Sequence, residues 1–244
     1  MDISTLSIII LVFLLAGTVK GIIGLGLPTV SLAILTIAMD LTSAMALLLI
    51  PSFVTNVWQA VGGGFGLNLV KRLWPFFLTA TISVPLGGIL LSEADTSWLS
   101  KFLGLLIASY ALIGILGWGL TIRDKNQFWA APGFGVCNGI FTGMTGSFVV
   151  PGVLYLNSTS LPRDALVQAM GILFSLATVA LAFTLAEKGF LTMELGLSSL
   201  TGLPPAVIGM VIGQKIRQKL SEQTFKKAFF GALLVLGLYI ILSI

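Results

Sequence analysis

The sequence predicts an all-α polytopic membrane protein made of two related halves, each with four hydrophobic segments. Three observations predict this class: few charges, apolar runs of membrane-spanning length, and a glycine pattern that occurs once in each half. Only 9% of the 244 residues are charged and 57% are hydrophobic, whereas about 25% of a soluble domain is charged. A water-soluble protein of this size could not cover its surface with so few charges, and its 28 glycines are typical of membrane helices.

The residue counts also exclude several kinds of chemistry. The chain has no histidine and a single cysteine, Cys137. This excludes haem ligation through histidine, His/Cys zinc sites, Ser-His-Asp triads and disulfides within the chain. We therefore expect no cofactor, no metal and no catalytic site. The net charge of +4 is better explained by basic cytoplasmic loops than by binding to nucleic acid.

Eight apolar segments follow one another along the chain, separated by short loops. Six of them are about 20 to 24 residues long, which is enough to cross a ~30 Å hydrocarbon core at 1.5 Å per residue. The first and the fifth are longer and are interrupted by glycines. The segments comprise residues 5–38, 42–62, 73–92, 97–120, 129–157, 164–186, 193–214 and 223–243.

The two interrupted segments share the pattern Gly-x3-Gly-x2-Gly, and a proline follows each copy. The glycines of the second copy lie 122 residues after those of the first, and Leu-Ser-Glu recurs at Leu91 and Leu220. We interpret the chain as two repeats, 1–122 and 127–244, joined by the loop 123–126. The alternative is that the glycines only form a helix-packing surface. The pattern consists of Gly17, Gly21, Gly24 and Pro28, and of Gly139, Gly143, Gly146 and Pro151.

The basic residues distinguish two topologies. If every segment crosses the membrane once, the loop charges divide five against seven and give no orientation. If the first and fifth segments are helical hairpins that return to their starting face, ten basic loop residues share one face. Only Lys101 and Lys188 then lie on the opposite face. Because lysine and arginine collect on the cytoplasmic face, we favour the hairpins. Each half then has an odd number of crossings, so the halves are inverted, with both termini outside and the 121–128 connection inside.

The broken segments predict a central binding site. Irregular backbone at membrane depth is tolerated where it lines a cavity, and helix N-termini attract anions. Pro28 and Pro151 suit the first turn of the half-helices that follow the breaks. Lys20 is the one basic residue inside an apolar segment, so we predict that it contacts an anionic ligand. The alternative is that it snorkels to the membrane surface.

The candidate substrate-binding residues are glycines of the breaks and polar side chains near them. Thr142 takes the place of Lys20 in the second repeat. For Asn56 and Gln168, hydrogen bonding between helices is the alternative role. No acidic residue lies deep in an apolar run, so a carboxylate proton relay is not expected, and both H⁺ and Na⁺ stay open as coupling ions. The full set is Lys20, Gly21, Gly24, Gly26, Asn56, Asn138, Thr142, Gly143, Thr145, Gly146, Ser147 and Gln168.

This arrangement of eight segments in two halves, each opening with a broken glycine-rich segment, resembles the TauE/SafE sulfite-exporter family, also called TSUP. The resemblance covers essentially the whole chain. It implies a membrane transporter of sulfite, sulfoacetate and related organosulfur anions, whereas the residues alone indicate only a small anion. The residues that carry the resemblance are Gly17, Gly21, Gly24, Gly26, Pro28, Gly139, Gly143, Gly146 and Pro151.

We therefore expect a secondary transporter in the cytoplasmic (inner) membrane of a bacterium that moves a small anion, usually outward. Alternating access around a midplane site between the two halves would be the mechanism. An anion or small-solute channel, or a non-transporting membrane subunit, is the alternative. The expected partners are the anionic substrate and the lipid bilayer, and a homo-oligomer stays open.

Overall fold

The computed structural model describes residues 3–219 and 222–243, with the side chains of residues 3 and 222–224 left out. Within these residues the chain folds into eleven helices. It forms no strand there, in agreement with the predicted all-α class. The helices are α1 (Ile3–Ile23), α2 (Leu27–Ala38), α3 (Leu41–Val61), α4 (Gly66–Ile82), α5 (Val84–Glu93), α6 (Thr96–Leu116), α7 (Asp124–Thr145), α8 (Gly152–Ser158), α9 (Arg163–Glu187), α10 (Met193–Arg217) and α11 (Glu222–Ser243).

Seven stretches of the described chain are long and apolar enough to cross a membrane, which confirms the predicted class. They are Ser4–Ile23, Leu41–Val61, Gly66–Glu93, Thr96–Leu116, Arg163–Glu187, Met193–Arg217 and Phe225–Ser243. The stretch Gly66–Glu93 contains both α4 and α5, which meet at Ser83. The first predicted segment is divided into α1 and α2, and the fifth into α7 and α8. The breaks that the glycines predict are therefore present.

The third glycine of each pattern ends a helix. Gly24 follows α1 with a φ of 84°, and Gly146 follows α7 with a φ of 71°. Backbone in this left-handed region is strained for residues that carry a Cβ. These two positions therefore account for the interruption of both long segments.

The first two glycines of each pattern bring helices close together. A Cβ on Gly17 or Gly21 would run into the backbone of α10 at Ala206 or Met210. In the second half, Gly139 and Gly143 meet the backbone of α4 and α5 in the same way. The helix-packing interpretation is thus confirmed for these four glycines, while the third glycine of each pattern makes the break.

Each interrupted segment folds back on itself. In the first, Gly26 lies beside Val19, and Ala38 lines a pocket together with Ile9, so α2 runs antiparallel to α1. In the second, the Gly152 N–H donates to Asn138 Oδ1 (2.9 Å), and the Tyr155 hydroxyl donates to the Gln127 carbonyl (3.1 Å). Helix α8 therefore returns along α7. This is the hairpin geometry that the distribution of basic residues favours.

A serine on α10 compensates for the proline inside α3. Pro51 has no N–H, so the Leu47 carbonyl one turn earlier has no donor within α3. The Ser199 hydroxyl donates to that carbonyl (2.7 Å) and accepts from the Ile50 N–H (3.1 Å). These two bonds join α3 and α10, the helices that form two walls of the cavity described next.

Candidate functional site

A cavity of about 310 Å³ lies at one end of the helix bundle. Its walls are formed by α1, α3, α9 and α10 and by the turn that follows α3. Lys20, only 2% exposed, lines its inner part, whereas Asp164 and Gln214 are exposed at its rim. The cavity therefore leads from the surface of the bundle to a buried lysine.

Neutral oxygen atoms surround the ammonium group of Lys20. Lys20 Nζ donates to Thr55 Oγ1 (3.2 Å) and to Asn56 Oδ1. Thr55 in turn donates to the Pro51 carbonyl (2.7 Å), which fixes its hydroxyl. No carboxylate within the described chain forms an ion pair with Lys20. A buried charge without a partner of opposite sign is costly, so an anion bound here would supply the missing charge.

Two side-chain amides beside Lys20 keep unused hydrogen-bonding groups. Asn56 is fully buried, and its Nδ2 has no partner among the described residues. Gln59 Nε2 donates to the Gly24 carbonyl at the first break, whereas Gln59 Oε1 has no partner there. Buried polar groups are normally satisfied. The donor on Asn56 and the acceptor on Gln59 therefore remain unsatisfied beside Lys20 within the described chain.

Gln168 shapes the cavity wall. Its Nε2 donates to the Ala60 carbonyl (2.6 Å), and its Oε1 accepts from the Phe65 N–H (2.8 Å). It thus joins the end of α3 to the start of α4, across the turn that borders the cavity. Both ends of the Gln168 amide are engaged, in agreement with the interhelical role considered for it. Gly21 and Gly24 line the same cavity.

The predicted residues of the second half are buried but do not line this cavity. Asn138 accepts from Gly152, Thr142 donates to the Ser147 carbonyl (3.1 Å), and Thr145 donates to the Phe141 carbonyl (2.8 Å). These bonds stabilise the second break. The residues concerned are Asn138, Thr142, Gly143, Thr145, Gly146 and Ser147. Of the predicted residues, Lys20, Gly21, Gly24 and Gln168 line the cavity, Asn56 is bonded to Lys20, and no residue of the second break lines it.

The half-helix N-termini differ from the expectation. Pro28 lies in the first turn of α2 as predicted, but Pro151 is the N-cap of α8 and not part of its first turn. Neither N-terminus lines the cavity, since Gly26 contacts Val19 and Phe229, and the Gly152 N–H is bonded to Asn138. These N-termini therefore do not contribute to this cavity, and the positive charge at its inner part comes from Lys20.

Four polar residues of this cavity are absent from the predicted set of site residues: Gln59 on α3, described above, and three others at helix ends. Asp164 lies in the first turn of α9, and Gln214 and Arg217 lie in the last turn of α10. All three lie near predicted segment ends, where a charged or polar residue is typical of a loop. The spacing of Met210, Gln214 and Arg217, four and three residues apart, places them on one helix face and is the signal that could have found them.

The helix ends around the cavity form a face that we name the basic face. Arg72 near the start of α4 donates to the Thr159 carbonyl (2.8 Å) and to Gln127 on α7 (3.2 Å), so these ends lie together. Phe229 and Phe230 of α11 contact Gly26 and Gly114. Ten of the 13 basic residues lie on loops and helix ends of this face: Lys71, Arg72, Arg123, Lys125, Arg163, Lys215, Arg217, Lys219, Lys226 and Lys227.

The chain is thus an all-helical membrane protein with a buried lysine in a cavity that opens at one face. Residues 9–240 match the family model described as "Sulfite exporter TauE/SafE". The chain belongs to this family, whose members are transporters and whose description implies a membrane exporter of sulfite or a related anion. No curated protein and no solved structure matches the chain.

Proposed function

We propose that this protein is a secondary transporter that moves a sulfur oxyanion or an organosulfonate out of a bacterial cell. The observation that carries the proposal is Lys20, an ammonium group held in a cavity by two neutral acceptors and no carboxylate among the described residues. Asn56 Nδ2 adds an unpartnered donor beside it. Together these groups suit an oxyanion, whose oxygen atoms accept hydrogen bonds and whose charge balances Lys20.

The basic face would be cytoplasmic under the positive-inside rule. The cavity rim lies on this face, so the structure would represent a state open to the cytoplasm, from which an exporter takes its substrate. Both chain termini would then lie outside the cytoplasmic membrane, and the 121–128 connection inside. The distribution of ten basic residues on one face supports this orientation.

Alternating access would use the two halves, 1–122 and 127–244, as inverted repeats. The packing of the glycine motifs supports this proposal. Gly17 and Gly21 allow α1 to pack closely on α10, and Gly139 and Gly143 allow α7 to pack closely on α4 and α5. Equivalent glycines therefore each contact a helix of the other half. A rocking motion of one half against the other would close the cytoplasmic rim and open a path on the opposite face.

A cysteine-labelling experiment tests the orientation. In a Cys137→Ala background, we expect Lys125→Cys to resist an impermeant maleimide added outside intact cells and to react after permeabilisation. Lys188→Cys, on the opposite side, should react in intact cells and serves as the matched control. Labelling of the Lys125→Cys variant from outside intact cells would contradict the proposed topology.

Flux into proteoliposomes tests the function. Vesicles that contain the protein should take up sulfite and sulfonates with saturation, and should show no uptake of acetate above that of protein-free vesicles. Imposed H⁺ and Na⁺ gradients, compared separately, identify the coupling ion. A channel would instead give flux without saturation, and the absence of anion movement under every gradient would contradict the transporter.

A further inference from the structure

With Lys20 protonated, the charges on the cavity wall sum to a single positive charge. Of the described residues that line the cavity, three carry charge: Lys20 on α1, Arg217 on α10 and Asp164 on α9. Lys20 is buried, Arg217 is half-buried and Asp164 is exposed at the rim. One carboxylate therefore opposes two cations around a space of about 310 Å³.

We propose that this cavity selects singly charged anions over doubly charged ones, and that Asp164 is the specificity-determining residue. The inference rests on the transport function proposed above and names the charge class of its substrate. A monoanion neutralises the net positive charge of the cavity, with Lys20 as its direct partner. A dianion leaves one negative charge uncompensated in the cavity, and burial of an uncompensated charge is costly.

Asp164 exerts this selection because it lies at the rim that an entering anion must pass. Its repulsion acts twice as strongly on a dianion as on a monoanion, since the Coulomb energy scales with the product of the charges. Arg217 offsets part of this repulsion from the other wall. Removal of the carboxylate would raise the net charge of the cavity to two and would reduce the penalty on the dianion.

Gln59 adds a chemical feature to the preferred ligand. It lines the cavity, and its Oε1 has no partner among the described residues, whereas its Nε2 is held by the Gly24 carbonyl. An amide oxygen accepts hydrogen bonds. A monoanion that also carries a hydroxyl, such as a hydroxylated sulfonate or a protonated oxyanion, has a donor that would satisfy this oxygen.

The test compares two sulfonates of similar size in proteoliposomes at neutral pH. Isethionate carries one negative charge and a hydroxyl, and sulfoacetate carries two negative charges. We expect the wild-type protein to transport isethionate at least tenfold more efficiently, measured as the ratio of flux efficiencies at low concentration. The Asp164→Asn variant should lower that ratio about fivefold, as expected for the loss of one screened charge.

Two further variants complete the experiment. Gln214→Glu adds a carboxylate to the same cavity rim and should raise the isethionate preference about fivefold. Glu194→Gln is the matched control. Glu194 is the acidic residue in the first turn of α10, as Asp164 is in the first turn of α9. It lies at the opposite end of the bundle from the cavity. The control should leave the ratio unchanged.

The possible results separate this inference from the proposed function. Equal transport of both sulfonates by the wild-type protein would overturn the charge selection and leave the transport function standing. An unchanged ratio in both Asp164→Asn and Gln214→Glu would overturn the role of the rim charge. If the wild-type protein moved neither sulfonate nor sulfite, the transport function itself would be contradicted.

Discussion

Replacement of Lys20 by methionine is expected to reduce saturable anion flux by a factor of about 100 or more. Methionine keeps much of the length of the lysine side chain but removes the charge that opposes the anion. Loss of one partner from a buried charge pair costs about 3–5 kcal/mol, which corresponds to at least a hundredfold loss of affinity. Initial rates of sulfite flux in proteoliposomes, measured over a range of sulfite concentrations, check this prediction.

The stability of the variant distinguishes a binding role from a structural one. Lys20 has only neutral acceptors among the described residues, so its replacement by an apolar side chain should leave the thermal midpoint in detergent unchanged or raise it. Lys101→Met, on the opposite face, is the control and should keep full flux. An unchanged sulfite affinity in Lys20→Met would remove Lys20 from the site and favour the snorkelling alternative.

Gly143→Ala is expected to destabilise the protein by about 1–3 kcal/mol or more, as overpacking does in tightly packed interiors. A Cβ at this position would run into the backbone of Val84 and lie 2.8 Å from Gly87 Cα, so α7 and α5 would have to separate. Because backbone atoms cannot move aside as a flexible side chain can, the strain cannot be relieved locally. The thermal midpoint in detergent, measured by a fluorescence shift, reports the change.

Gly133→Ala supplies the matched control within the same helix. A Cβ on Gly133 meets nothing within 4 Å, so alanine gains helix propensity without a clash and should stabilise α7 by about 0.5–1 kcal/mol. The two variants should therefore shift the thermal midpoint in opposite directions. A shift of the same sign and size for both would contradict the close packing of α7 on α5.

The glycine pattern shows what the sequence could predict about the fold. The repeated motif and its prolines correctly predicted where both long segments break, because left-handed backbone favours glycine at Gly24 and Gly146. The sequence alone could not separate the break from the packing role of Gly17 and Gly21. Both roles select for glycine, and only the neighbouring helix shows which one applies.

The residues of the candidate site could be predicted from the sequence only in part. Lys20 stands out because an ionisable residue inside an apolar segment is energetically costly, and its presence there therefore indicates a functional role. Asp164 and Arg217 do not stand out, since they lie at helix ends, where charged residues are common in any membrane protein. Their place on the cavity rim depends on how α9 and α10 pack, and local composition does not determine that packing.

The second half of the chain illustrates the limit of an argument from symmetry. Thr142 takes the sequence position of Lys20, yet it donates to the Ser147 carbonyl beside the second break. Asn138 likewise satisfies the Gly152 N–H at the start of a helix of only seven residues. A repeated backbone feature therefore does not imply a repeated chemical role, because the side chains around the two breaks differ.

Under the proposed function, the cavity around Lys20 carries an anion across the membrane by alternating access. Counterflow tests it most directly: vesicles are loaded with unlabelled sulfite, and uptake of a trace of radiolabelled sulfite is followed without any ion gradient. We expect a transient accumulation of label with the wild-type protein and none with Lys20→Met. Flux of label that is independent of internal sulfite, or equal in both proteins, would contradict the account.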